Sequence, residues 1–212
     1  MLLNFSQLLE EYNIESEGII HVGAHYGHEL YLYLRHEIKN VLMFEPQEKA
    51  FKQLQFNISQ TSPPYDVNIN AEKIALGSRE AEAEMFVEEE NTGMSSSLLE
   101  PALHTQQYPH ITFNKKEKVK ITTLDDYLND RAYRSYDFIN IDVQGYELNV
   151  FKGAIKTLKN IKYIISEVNR EELYKGCAKV EELDSFLKDF GFSREVTDWE
   201  GQTWGDAFYL KR

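Results

Sequence analysis

Gly18-Ile19-Ile20-His21-Val22 reads as a short buried strand, and Gly23-Ala24-His25-Tyr26-Gly27 turns it into the helical pattern of residues 29–37. Two glycines four apart between a strand and a helix let the backbone bend sharply and let a ligand approach it closely. Outward from this unit the alternation repeats. Asn40-Val41-Leu42-Met43-Phe44-Glu45 is a second strand, stopped by Pro46, after which Phe51, Leu54 and Ile58 recur at helical spacing until Pro63-Pro64. A third strand is expected at residues 73–76, and Gly77-Ser78 turns into an acidic run, residues 79–90. There Ala81, Ala83, Met85 and Val87 alternate with glutamates (Glu80, Glu82, Glu84, Glu88, Glu89 and Glu90), the pattern of a solvated strand edge. Residues 118–122 form a short strand candidate and residues 123–128 a short capped helix. Residues 136–142 make a fourth strand that ends in Asp142, followed by a helical stripe of Tyr146, Val150, Ala154 and Leu158. Residues 163–168 make a fifth, and Leu183, Phe186, Leu187 and Phe190 mark the last helix. Residues 192–198 and 207–211 flank Gly201 and Gly205 as in a β-hairpin. Strands that alternate with helices in this way form an α/β fold around a mostly parallel sheet.

The chain has 212 residues with 35 acidic and 23 basic side chains, a net charge of −12, which is too acidic for a groove that holds nucleic acid by neutralising phosphates. Its length and apolar content suit one domain over residues 1–212, with an N-terminal helix in 1–17, an irregular loop or lid at 91–117 and the terminal hairpin at 192–212. No apolar run is long enough for a membrane span, and the first residues lack the pattern of a secretion signal. Cys177 is the single cysteine, so no internal disulfide forms and a cytoplasmic location is expected. The sequence sets no oligomeric state.

The glycine turn and the acid after the second strand carry the first chemical signal. Glu45 follows Gly23 by 22 residues, where a carboxylate accepts from both ribose hydroxyls of an adenosine cofactor. The dinucleotide fingerprint would need glycine at position 25, and the residue there is His25. A cofactor without a pyrophosphate is therefore favoured over a nicotinamide dinucleotide.

Beyond these two features, the chain resembles the FkbM-type S-adenosylmethionine-dependent methyltransferases from about Gly18 to the C-terminus. The resemblance lies in His21-Val22-Gly23-Ala24-His25-Tyr26-Gly27, Phe44-Glu45-Pro46, Ala75-Leu76-Gly77, Ser96-Ser97-Leu98, Ile141-Asp142-Val143-Gln144-Gly145-Tyr146-Glu147, Lys152-Gly153-Ala154 and Glu167-Val168. Glu167-Val168-Asn169, Leu173-Tyr174-Lys175-Gly176-Cys177 and Trp204-Gly205-Asp206-Ala207 are similar to a branch met among glycan-modifying genes. The resemblance implies a Rossmann-like class I methyltransferase fold, with a seven-stranded sheet in the order 3-2-1-4-5-7-6, the last strand antiparallel and helices on both faces. It also implies S-adenosyl-L-methionine as cofactor, Gly23 and Gly27 flanking its methionine part, Glu45 on its ribose, and Ala75 and Leu76 beside its adenine. Asp142 and Gln144 fall near the sulfonium, and His21, Ala24, His25, Pro46, Ser96 and Ser97 complete the implied cofactor set. Asn169, Tyr174, Trp204 and Asp206 are the implied contacts of a small-molecule or glycan acceptor. Two positions depart from the family pattern: His21 stands where most members have an acid, and Gln144 where many have glutamate.

Transfer of a methyl group from a sulfonium needs an acceptor oxygen held about 3 Å from the carbon, water kept out, and a base for the hydroxyl proton. Asp142 is the first candidate and Glu167 the second, with His25 and Asp206 behind them. Each has a structural alternative. Asp142 can instead orient its loop or accept from the cofactor, Glu167 can bond the backbone around Asn169, and His21 can be a satisfied core histidine. His21, His25 and His28 span a strand end and a turn and do not converge on a metal, and Cys177 has no base partner. Trp199 and Trp204 either stack on a sugar or pack the sheet edge, while His104, Tyr108 and His110 either line a lid or face solvent. The reading is an S-adenosylmethionine-dependent O-methyltransferase acting on a sugar hydroxyl, with an NAD(P)-dependent oxidoreductase and a catalytically inactive cofactor-binding module as rivals.

Overall fold

The computed structural model describes residues 1–63, 65–129 and 135–212; Pro64, expected to help close the third helical unit, lies outside them. In chain order the elements are α1 (Phe5–Glu11), β1 (Gly18–Val22), α2 (Leu30–Arg35), β2 (Asn40–Phe44), α3 (Glu48–Ser59), β3 (Asn68–Glu72), β4 (Ala75–Leu76) and β5 (Ala81–Val87). They continue with α4 (Leu103–Gln107), β6 (Lys115–Thr122), α5 (Leu124–Leu128), β7 (Phe138–Ile141), α6 (Glu147–Lys152), β8 (Tyr163–Asn169), α7 (Val180–Lys188), β9 (Phe192–Glu200) and β10 (Trp204–Lys211).

Seven strands form one sheet in the order β3-β2-β1-β7-β8-β10-β9. The pairs from β3 to β8 are parallel, and β10 runs antiparallel to both neighbours. This is the order and handedness of pairing that the resemblance implied. Every residue of β1 and β7 is buried, as expected for parallel strands covered on both faces. Successive side chains point to opposite faces, so each central strand feeds two cores. Ile20, Val22, Ile139, Ile141 and Ile164 pack with α5, α6 and α7, while Ile19, Met43, Phe138, Ile165 and Phe208 pack with α1, α2 and α3.

Four expectations need correction. The third strand of the sheet is β3, not residues 73–76; Ala75 and Leu76 pair instead with Ile121 and Thr122 in a second, three-stranded sheet, β4-β6-β5. β3 has the polar sequence Asn-Ile-Asn-Ala-Glu because it is an edge strand with no fully buried residue, so it carries no apolar run. Residues 91–117 are not wholly irregular, since α4 lies inside them and β6 begins at Lys115. The stripe from Tyr146 to Leu158 does not continue as one helix. α6 stops at Lys152, where a Cβ on Gly153 would sit 2.0 Å from the Gly77 carbonyl oxygen, so the close approach of the second sheet requires glycine. Finally, Glu88 is not a solvated member of the acidic run. It is buried, and its carboxylate accepts from the backbone N–H groups of Asn91, Gly93 and Ser95 at 2.6, 2.8 and 3.2 Å.

Candidate active site

The carboxyl ends of β1, β2, β7 and β8 open into three adjoining clefts, the place where parallel α/β sheets take ligands. The first has apolar walls from Phe44, Ile74, Leu76, Leu98 and Val143 and includes Glu45 in its lining. The second is bordered by His21, Ala24, His28, Glu29 and Asn140. The third is lined by the rings of His104, Tyr108 and Trp204 and by the carboxyl groups of Glu167 and Asp206. Asp142 and Met94 line all three.

The turn after β1 explains the first two clefts. Gly23 has φ +80° and its Cβ would lie 1.9 Å from the carbonyl oxygen of Asp142, so only glycine lets β1 and β7 end side by side here. The chain then folds back so that the His25 N–H donates to Glu45 Oε2 and the Gln47 N–H to Oε1, both at 2.8 Å. Burial nevertheless pushes the Glu45 carboxyl up to about 7, despite those two donors. Each oxygen keeps a second lone pair for a ligand hydroxyl. His25 Nε2 lies 3.0 Å from the Thr92 carbonyl oxygen and therefore donates there, which leaves the buried Nδ1 as an acceptor with no partner among the described residues. A hydrophobic slot ending in a carboxylate, beside a polar cleft that contains an orphaned acceptor, fits a nucleoside joined to an amino acid.

Asp142 and Glu167 meet through Gln144. The Gln144 Nε2 donates to Asp142 Oδ1 at 2.7 Å and to Glu167 Oε2 at 2.6 Å, and its Oε1 accepts from the Tyr174 hydroxyl at 2.8 Å. Gln144 adopts φ +54°, an uncommon conformation for a non-glycine residue, and Ser97 Oγ donates to its carbonyl oxygen at 2.7 Å. A glutamate at this position could not donate to two carboxylates. Burial and then the neighbouring Asp142 drive the Glu167 carboxyl well above the usual range, so Glu167 holds its proton beside Asp142. Asp206 is pushed up to about 6 by burial and by Asp142, and it accepts from the Leu2 backbone N–H.

Of the residues implied by the resemblance, His21, Gly23, Ala24, His25, Glu45, Pro46, Ala75, Leu76, Ser96, Asp142 and Gln144 border the first two clefts. Glu167, Trp204 and Asp206 border the third. Gly27, Ser97, Asn169 and Tyr174 stand behind these walls. Gly27 packs where a Cβ would strike Leu54, Ser97 and Tyr174 hold Gln144, and the Asn169 amide reaches Glu167 at 3.4 Å. Trp204 Nε1 donates to the Tyr108 hydroxyl at 3.0 Å on the cleft wall, whereas Trp199 lies under the Arg170 guanidinium. Burial raises the Cys177 thiol, which suits a core residue and not a nucleophile. Sequence reading missed Met94, which Glu88 brings over the clefts, and Glu147, whose Oε1 accepts from the Val143 and Gly145 N–H groups at 3.0 and 3.1 Å. No local pattern marks Met94; Glu147 lies within the quoted motif but only the fold reveals that it braces the turn.

These buried acids predict how stability depends on pH. Glu45, Glu147 and Asp206 have folded pKa values near 7, 7 and 6, all above their unfolded values, so the folded chain retains protons that the unfolded chain has released. Stability is then greatest below the unfolded values and is lost as pH rises through 6–7, by up to about 3 kcal/mol for a group raised two and a half units. Thermal unfolding of the ligand-free chain should show a midpoint that falls between pH 5 and 7.5, and Glu45→Gln should flatten the slope. A slope unchanged in that variant would refute the assignment.

The strand order, the glycine turn after β1 and the acid after β2 define a Rossmann-like class I methyltransferase. In keeping with this, the fold is similar to that of magnesium protoporphyrin IX methyltransferase from Synechocystis PCC 6803, with a TM-score of 0.52 at 12% identity over 98% of this chain and 76% of that one. It is also similar to an S-adenosylmethionine-dependent methyltransferase from Aquifex aeolicus, with a TM-score of 0.50 at 14% identity over 97% and 88% of the two chains. Residues 21–194 match the family described as Methyltransferase FkbM domain, and the chain belongs to that family. A curated relative, 2-O-methyltransferase NoeI of Sinorhizobium fredii (strain NBRC 101917 / NGR234), is 31% identical over 97 residues, which span 46% of this chain and 40% of that protein. The chain carries the methyltransferase domain of that family, and the oxidoreductase alternative falls with that assignment. Among the described residues no helix is long and apolar enough to cross a membrane.

Proposed function

We propose that this enzyme methylates a hydroxyl oxygen of a sugar in a glycan or a related small molecule. The observation that carries the reading is the Asp142–Gln144–Glu167 bridge, which stands on the wall between the cofactor clefts and the aromatic third cleft. Oxygen as the acceptor atom is supported by the naming of the Sinorhizobium relative, and a sugar by a cleft lined with both aromatic rings and carboxyl groups. A cytoplasmic location, the expectation from a single cysteine that is buried, belongs to the same reading.

In this proposal Glu45 takes the ribose hydroxyls, the apolar slot takes the adenine, and the second cleft takes the amino-acid end. S-Adenosylmethionine supplies an already activated methyl carbon. The chain's task is to hold the acceptor hydroxyl against that carbon, exclude water and remove one proton. Asp142 takes the proton; Gln144 fixes its carboxylate, and protonated Glu167 stays neutral beside it. Trp204 and Tyr108 offer faces to the acceptor ring, and Asp206 offers a hydrogen bond to a second hydroxyl.

The test is a methyl-transfer screen with labelled cofactor against neutral glycans, peptides, lipids and nucleic acids. Label is expected in a sugar. Turnover on another class with none on sugars would sink the acceptor assignment, and cofactor binding without turnover on anything would favour an inactive module.

A further inference from the structure

The resemblance leads one to expect an acid at the end of the first strand, and this chain has His21 there. The imidazole is 3% exposed, its Nδ1 lies 3.2 Å from the Tyr33 hydroxyl, and that hydroxyl accepts from the Asn140 amide at 2.8 Å. Burial holds His21 below its ordinary pKa, so the ring is neutral at physiological pH. It cannot supply the negative charge that an α-ammonium needs on leaving water.

A carboxylate stands on the same cleft wall. Glu29 is the residue before α2, four positions ahead of Tyr33, and this spacing puts both side chains on the face of α2 that looks toward the end of β1. The Glu29 side chain is 21% exposed and lines the second cleft with His21 and Asn140. The Met1 nitrogen lies 3.8 Å from Glu29 Oε1, so the cleft admits a nitrogen group beside this carboxylate. Asp206 borders the same cleft, but burial and Asp142 push it up to about 6 and it already receives the Leu2 backbone N–H, which makes it the poorer partner.

We infer that Glu29 holds the α-ammonium of S-adenosylmethionine. The inference rests on the cofactor assignment and is independent of the acceptor. It also accounts for the tolerance of a neutral histidine in β1: the charge has moved from the strand end to the start of the next helix, and His21 is freed to join a buried polar network.

The experiment is calorimetric titration of the whole chain and of Glu29→Gln with two probes, S-adenosylhomocysteine and 5′-deoxy-5′-methylthioadenosine. The second has the same nucleoside but no amino-acid end. Glu29→Gln should weaken S-adenosylhomocysteine roughly 10- to 100-fold, the worth of a charge-assisted hydrogen bond, and leave the truncated probe within about twofold. Retained binding of the truncated probe also shows that the variant is folded. Equal weakening of both probes would mean a structural role and overturn the inference, as would no weakening of either. Failure of the unaltered chain to bind either probe would overturn the cofactor assignment and this inference with it.

Discussion

Replacing Asp142 with asparagine is expected to lower kcat by roughly 10²–10⁴-fold and to leave cofactor affinity within a few-fold of the original. The change keeps the shape of the side chain and its contact with Gln144, whose Nε2 lies 2.7 Å from Asp142 Oδ1, but removes the carboxylate proposed as the base. Glu167→Gln is the informative companion. Burial and the nearby Asp142 already keep Glu167 protonated, so an uncharged amide imitates its working state and should cost far less activity. The two variants should also differ in their pH profiles. With one negative charge gone in Asp142→Asn, Glu167 should ionise at lower pH than before, and any residual turnover should rise with that ionisation. Equal losses in both variants, or full activity in Asp142→Asn, would remove Asp142 from the role of base.

The contrast between those two acids was only half visible in the sequence, for a physical reason. Strands β1, β2, β7 and β8 announce themselves because central parallel strands are buried on both faces and carry mostly apolar runs. β3 escapes because an edge position tolerates Asn68 and Asn70, which are exposed. The same limit applies to charge. Glu84 and Glu88 stand four apart in one acidic run, yet Glu84 pairs with Lys116 at the surface and Glu88 is 1% exposed, gathering the loop that carries Met94. Composition cannot separate them, since burial depends on where β5 ends. Asp142 and Glu167 could be placed at strand ends from the pattern of runs. Their coupling could not, because it depends on Gln144 adopting φ +54° and on Tyr174 arriving from a later segment.

Gly23→Ala is expected to be the most damaging single methyl group in the chain. Two costs combine at this position: φ is +80°, and the new Cβ would meet the Asp142 carbonyl oxygen at 1.9 Å, a distance that no real Cβ tolerates. Gly201→Ala separates them, because φ there is +59° and, among the described residues, no atom lies within 4 Å of the added carbon. Backbone strain alone should therefore cost Gly201→Ala about 1–2 kcal/mol and leave ligand binding intact. In Gly23→Ala the clash lies against backbone, which has no rotamer to yield. The end of β1 must part from β7, and the turn that delivers the His25 N–H to Glu45 must move with it. Destabilisation above about 4 kcal/mol is expected, a range reached only when packing or backbone geometry fails outright, together with loss of S-adenosylhomocysteine binding. The measurements are denaturant unfolding of both variants and titration with that ligand. If Gly23→Ala unfolds no more easily than Gly201→Ala and still binds, the close approach of β1 and β7 is not what shapes the cofactor site, and the apolar slot beside Glu45 would have to form without it.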